Sequence, residues 1–357
     1  MRAGLRSFAR RIRITMTSSL IIRVASGHAL TRAEAEQVME ELLSGRFETQ
    51  DIVSLLLAMN QRAVEAAELV GFASVMRRHA TAVFANGKLP VPIVDTCGTG
   101  GDGFDAFNIS TAAGIVAAAA GARVAKHGNR RATSRSGSAD VLEALGVRID
   151  VAFAHVGRGI CELGFGFLFA QAAHTATRHA APARRQIGAR TVFNLLGPLT
   201  NPAGADSHVL GVFSPNVMDL IAATLNDLGV SRAFVVHGAG GLDEISLAGE
   251  TLVAEVHRGT TRRYTISPED FGVARAPLDA VQGGTPSENA EIIRRIFAGE
   301  PGPRRDIVVI NAAAALVAAG VAANFRDAAQ LASHALSSGL AQAKLSQLCA
   351  FTNAVQP

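Results

Sequence analysis

Between residues 20 and 82 the apolar positions recur at helical spacing. Thr31-Arg32-Ala33-Glu34 has the form of a capping box, with a hydroxyl that takes a backbone N–H and a carboxylate that reaches back. Ala35, Val38, Met39, Leu42 and Leu43 then share one face, and Gly45 ends the helix. Apolar segments over 52–59 and 64–76 predict two more helices, the second with Leu69, Val70, Phe72 and Ala73 on one side. Helices this short with faces this broad must pack on something. The faces around Leu42, Leu56, Leu69 and Phe72 exceed what a three-helix unit covers alone and predict a homodimer through this region. At Gly87 the pattern changes, and Leu89-Pro90-Val91-Pro92 reads as a linker. Short apolar runs at 93–95, 124–125, 167–170, 209–213 and 233–236 then alternate with helical or glycine-rich stretches. That order predicts an α/β domain with a mostly parallel central sheet flanked by helices. Runs at 251–256 and 263–266 suggest antiparallel strands at one edge, and helices over 288–297, 312–321 and 328–348 close the chain. The predicted organisation is an arm over 1–15, a small all-α domain over 16–88 and an α/β domain over 89–357.

Composition narrows the function classes. The 357 residues allow two or three domains, and 48% apolar with 18% charged residues exclude a disordered chain. Aromatics are scarce, with no Trp and one Tyr, which argues against stacking platforms for single-stranded nucleic acid. The net charge is +4, and five Arg fall within the first thirteen residues, with no acid before Glu34. Without that arm the body is nearly neutral, so no nucleic-acid partner is expected. The arm itself reads as a disordered extension ahead of Met16, or else as a targeting peptide. Three Cys at wide spacing (Cys97, Cys161, Cys349) form neither a disulfide framework nor a zinc pattern and predict a reducing cytoplasm. No uncharged apolar run reaches about 18 residues, so no membrane span is expected.

Two loops look built for anions. Gly98-Thr99-Gly100-Gly101-Asp102-Gly103 follows the first strand and formally satisfies the dinucleotide fingerprint. The acid that should follow about 20 residues later is missing, and the next strand ends instead in Lys126-His127. A cation there suits a phosphate. Asn108-Ile109-Ser110-Thr111 opens an Ala-rich helix whose N-terminus can hold an anion, with Ser110 or Thr111 as cap. Residues 126–138 combine Lys, Arg, Gly, Ser and Thr before another helix over 139–145 and read as a second phosphate loop. No Walker pattern is present. Opposite them in chemistry, Asp243-Glu244 lies on a loop beyond an apolar strand. Carboxylates facing polyphosphate point to Mg²⁺, which is held by one or two acids plus the phosphates.

The run Asp95-Thr96-Cys97-Gly98-Thr99-Gly100-Gly101-Asp102-Gly103, with Asn108-Ile109-Ser110-Thr111 and Lys126-His127-Gly128-Asn129-Arg130, resembles the anthranilate phosphoribosyltransferase family. So do Gly137-Ser138-Ala139-Asp140 and the run from Arg190-Thr191-Val192-Phe193-Asn194 to Asn201-Pro202. The resemblance covers residues 20–353. It implies a class II nucleoside phosphorylase-like fold, in which helices from about 180–196 join the small domain. It also implies transfer of phosphoribosyl from phosphoribosyl pyrophosphate to anthranilate in tryptophan synthesis, with Mg²⁺, a homodimer and association with anthranilate synthase. By position, Gly98, Gly101, Asp102, Asn108, Ile109, Ser110 and Thr111 would bind the donor. Lys126, His127, Gly128, Asn129, Arg130, Thr133, Ser134 and Ser138 would add phosphate contacts. Ser110, Asp243 and Glu244 would hold Mg²⁺, with Lys126, Asp243 and Glu244 carrying catalysis. Anthranilate would touch Gly98, Asn129 and Arg184. The chain departs from the family pattern at Ala106, at the Ala63-Val64-Glu65 turn, and at Gln171 with His174-Thr175-Ala176-Thr177, which makes the acceptor side more polar. A pyrimidine nucleoside phosphorylase of the same fold, and a nucleic-acid-binding paralogue without catalysis, are the alternatives.

Overall fold

The computed structural model describes residues 16–84, 92–101, 103–131 and 135–354. The expected arm and most of the linker therefore lie outside the described residues, as do Asp102, Thr133 and Ser134.

The described residues begin with four helices, α1 (Met16–Ala25), α2 (Arg32–Leu43), α3 (Thr49–Asn60) and α4 (Ala66–His79). The capping box forms: the Thr31 hydroxyl accepts from Glu34 N at 3.3 Å, and the Glu34 carboxylate accepts from Thr31 N at 2.9 Å. Then follow β1 (Val94–Gly98), α5 (Ile109–Ala119), β2 (Val124–Gly128), α6 (Ser138–Leu145), α7 (Phe153–Glu162), β3 (Phe165–Phe169), α8 (Ala170–Ala173), α9 (Ala181–Ile187) and α10 (Phe193–Leu196). The remainder is β4 (Ser207–Gly211), α11 (Met218–Asp227), β5 (Arg232–His237), β6 (Thr251–His257), β7 (Thr260–Ile266), α12 (Pro286–Phe297), α13 (Pro303–Ala318), α14 (Phe325–Ser337) and α15 (Leu340–Asn353). The helix expected at 312–321 thus begins earlier, at Pro303. The one expected over 328–348 is two helices, because Gly339 takes a φ of 78° and turns the chain between α14 and α15.

Among the described residues seven strands form one sheet in the order β3-β2-β1-β4-β5-β6-β7. The first five are parallel, while β6 and β7 add antiparallel at the edge. Period-two alternation divides the strand side chains between the faces. Val94, Val124, Phe165, Val209 and Phe234 meet α5, α13 and α14 in one core. Leu210, Val212, Val235 and Val256 meet α11 on the other face, in a core that runs on without a break into the four-helix bundle. Leu42, Leu56, Leu69 and Phe72 are all buried there. Their apolar faces are covered by α9, α10 and α11 of the same chain, so these four residues do not call for a second copy.

The strand order reverses direction at β1, whose two neighbours are β2 and β4. In open parallel sheets ligands bind outside the strand C-termini at such a switch point.

Candidate active site

The loops after β1, β2 and β5 and the segment carrying α8 and α9 enclose a cleft of about 820 Å³ at that switch point. Gly98, Gly101, Asn108, Ile109, Ser110, Lys126, His127, Gly128, Asn129, Arg130, Ser138, Arg184, Asp243 and Glu244 all line it. Thr111 does not. It is fully buried in α5, its hydroxyl without a hydrogen-bond partner among the described residues.

Close backbone approach shapes the β1 loop. Gly100, Gly101 and Gly103 have positive φ, a conformation that L side chains rarely adopt. A Cβ at Gly98 would sit 2.8 Å from Asp243 Oδ2, so the glycine lets the carboxylate lie against the strand end. Gly100 N donates to Asp243 Oδ2 at 2.9 Å.

The first turn of α5 is occupied differently from expectation. Asn108, not Ser110 or Thr111, is the N-cap, and it makes no side-chain cap. Its amide instead donates to Ser136 O at 3.1 Å and accepts from Ser136 Oγ and Asn289 Nδ2, each at 3.0 Å. Asn108 therefore ties the two anion loops together. The free N–H of Ser110 donates to Glu244 Oε1 at 3.1 Å, so a carboxylate of the chain already sits at the positive helix end.

Lys126 is a buried cation. Its Nζ donates to Thr96 O, and to Ser110 Oγ at 3.1 Å. One strand away, Asp95 is wholly buried and accepts from His127 N at 3.0 Å and Asn201 Nδ2 at 2.8 Å. Burial pushes its carboxyl up to about 6, against the pull of Asn201 and Lys126. Burial and the adjacent Asp243 charge hold the Glu244 carboxyl well above the usual carboxylate range. Two carboxylates pressed together in this way attract a cation. Among the described residues no group of three or more His, Cys, Asp or Glu gathers as a metal site.

Residues of α8 to α10 supply another part of the lining. Arg184 stacks over the Phe193 ring at 5.3 Å and has no carboxylate partner among the described residues. Gln171 Nε2 donates to Asn129 Oδ1 at 3.3 Å. His127 and His174 meet edge to face at 5.2 Å, and burial pulls their imidazoles down to about 3 and about 4. Both are neutral at physiological pH. Arg130, expected among the phosphate ligands, pairs with Asp140 and Glu143 of α6 at 3.2 and 2.5 Å. Cys97 also lines the cleft, with its thiol pushed up by burial, so it is no thiolate nucleophile.

Sequence reasoning assigned no role to Asp95, Asn201 or Arg190. All three lie within the motifs that carry the resemblance, which was their only signal.

Residues 18–80 match the helical bundle domain of the glycosyl transferase family, and residues 90–342 match its a/b domain. The anthranilate phosphoribosyltransferase of Pelotomaculum thermopropionicum is 52% identical over 337 residues, 94% of this chain and 97% of that one. The chain belongs to the anthranilate phosphoribosyltransferase family. The crystal structure of the Thermus thermophilus member has a TM-score of 0.88 at 46% identity, over 93% of this chain and 99% of that one. The Saccharomyces cerevisiae member in complex with phosphoribosyl pyrophosphate and Mg has a TM-score of 0.85 at 27% identity, over 95% and 98% of the two chains. The same yeast protein in complex with 4-fluoroanthranilate has a TM-score of 0.83 at 25% identity, over 95% and 98%. For the family, then, a helical bundle domain and an a/b domain go together.

Proposed function

We propose that this cleft transfers the phosphoribosyl group of phosphoribosyl pyrophosphate to the amine of anthranilate, giving N-(5'-phosphoribosyl)anthranilate and pyrophosphate. The observation that carries the reading is the meeting of a glycine loop, the buried Lys126 and the Asp243–Glu244 pair, with Arg184 lining the same cleft. Identity over nearly the whole chain favours this transfer over nucleoside phosphorolysis and over a nucleic-acid-binding role.

The donor's phosphates fit the backbone around Gly98 and Gly101, the start of α5 at Ser110, and the residues from Lys126 to Asn129 with Ser138. Asp102, Thr133 and Ser134 are assigned to the same donor site by position. Bond breaking at the anomeric carbon gathers negative charge on the departing pyrophosphate. Lys126, held in place by Thr96 and Ser110, stabilises that charge. Asp243, Glu244 and Ser110 fit Mg²⁺, which when bound supplies further neutralisation of pyrophosphate charge. Arg184 offers a planar fork to the anthranilate carboxylate, beside Asn129 and Gly98. An arylamine is already nucleophilic, so positioning suffices without a strong base, in keeping with the neutral His127 and His174.

The same reading assigns the protein to the cytoplasm, as a homodimer that associates with anthranilate synthase. Among the described residues no helix is long and apolar enough to cross a membrane.

The test is loss of anthranilate fluorescence on mixing with phosphoribosyl pyrophosphate and Mg²⁺. The double variant Asp243→Asn, Glu244→Gln should fold, yet lose about 100-fold or more in rate at limiting Mg²⁺. No loss of fluorescence, combined with phosphate-dependent release of thymine from thymidine, would replace the transferase by a phosphorylase.

A further inference from the structure

The segment that carries Arg184 carries a second arginine to which the proposed chemistry gives no part. Arg190 lies between α9 and α10 and lines the cleft. Its Nη2 donates to Gly101 O. The side chain lies directly against that glycine, since a Cβ there would sit 2.7 Å from Nη2. Its guanidinium stacks on the Phe213 ring at 4.0 Å. Its own carbonyl accepts Nδ2 of Asn60, the last residue of α3, at 2.7 Å. Phe213 in turn donates its backbone N–H to Thr99 Oγ1 at 3.1 Å.

We propose that Arg190 is a positioning residue that clamps the glycine loop in its donor-binding shape before the donor arrives. The inference rests on the transferase reading for its functional consequence, but its geometry stands alone. A loop with three positive-φ glycines has wide conformational freedom, and fixing it costs entropy. Two pins oppose that cost: Asp243 takes the N–H of Gly100 from one side, and Arg190 holds the carbonyl of Gly101 from the other. A loop pre-ordered in this way binds its ligand more tightly, because less order remains to be imposed on binding. The planar guanidinium suits the task, since it donates to the carbonyl while lying flat on Phe213. Through Asn60 the clamp is also fastened to the helical bundle, so the bundle and the donor loop meet at one residue.

The experiment is hydrogen exchange of peptides spanning 98–107 in the full-length, donor-free protein, compared with Arg190→Ala. The clamp predicts exchange faster by about 10-fold in the variant. It also predicts a phosphoribosyl pyrophosphate Kd, measured with Mg²⁺, raised about 5- to 20-fold, with the anthranilate KM little changed. Phe213→Leu removes the platform from a position outside the cleft walls, so it should speed exchange in the same peptides. Unchanged exchange in donor-free Arg190→Ala overturns the clamp even if donor affinity falls, because Arg190 would then be a direct phosphate contact. A wild-type protein that binds no phosphoribosyl pyrophosphate strikes the functional reading alone, and the exchange comparison still decides the clamp.

Discussion

Lys126 and Arg184 are cations in one cleft, held in different ways. Lys126 is buried and fastened at its tip, whereas Arg184 rests on a ring and keeps its fork free of carboxylates among the described residues. Arg184→Ala should therefore raise the anthranilate KM about 10- to 100-fold and leave the donor KM within about two-fold. Steady-state kinetics with each substrate varied in turn checks this, and the reverse split would move Arg184 out of the acceptor site. The buried histidines set a pH dependence. His174 is pulled from 6.5 down to about 4, so the folded protein keeps it neutral where the unfolded chain would protonate it. That contribution is complete above 6.5 and is lost as pH falls towards 4. Asp95, raised from 3.8 to about 6, acts in the opposite sense, its contribution being lost as pH rises through about 6. The difference between wild type and His174→Gln isolates the histidine. The variant's stability should fall less, by on the order of 1–3 kcal/mol, between about pH 7 and about pH 4.5. Urea midpoints at the two pH values measure it, and parallel curves would refute it.

At the scale of elements, the carboxylate pair is placed by the end of β4 as much as by its own loop. A Cβ on Gly211 would fall 1.5 Å from Asp243 O, so only glycine lets the β5 loop cross this strand end. Gly211→Ala should cost about 3 kcal/mol or more, or push Asp243 off Gly100. Either way, activity should fall together with the urea midpoint. Gly339 makes a contrast: it needs its φ of 78° but faces open space. Gly339→Ala should cost only about 1–2 kcal/mol of backbone strain, with turnover at saturating substrates unchanged. Equal losses at the two positions would show that the crossing at Gly211 is not the tight point.

For the whole molecule, the bundle and one sheet face share a single apolar core, so the cleft wall at Met76 of α4 is packed onto the sheet that bears the loops. Among the described residues, the large apolar side chains left outside on the bundle are Ile22, 61% exposed, and Leu57, 43% exposed, on the adjacent helices α1 and α3. These, rather than Leu42 or Phe72, are the surface that the proposed dimer would cover. Sedimentation at micromolar concentration should give a dimer for the wild type and a monomer for Ile22→Asp with Leu57→Asp. A wild-type monomer would end the dimer proposal.

Periodicity along the chain was enough to predict a helical segment followed by a mostly parallel sheet with an antiparallel edge, because side-chain spacing fixes local backbone and buried face together. The glycine and basic loops were legible for a similar reason, since φ above zero and anion binding restrict residue type locally. The long apolar run past 328 misled only because a glycine inside it can either continue a helix or turn it. Partners distant in sequence were decided by packing alone. Asp95 meets Asn201, Ser110 meets Glu244, Asn108 meets Asn289 and Arg190 meets Gly101 across separations of 106, 134, 181 and 89 residues. Arg130, which the resemblance offers to phosphate, lines the cleft and also pairs with Glu143 of α6, while Thr111 lies buried in α5. A residue's type states which bonds it can make. Which of them it makes depends on the groups that the folded sheet and helices bring within about 3 Å, and that selection exists only once the core has closed.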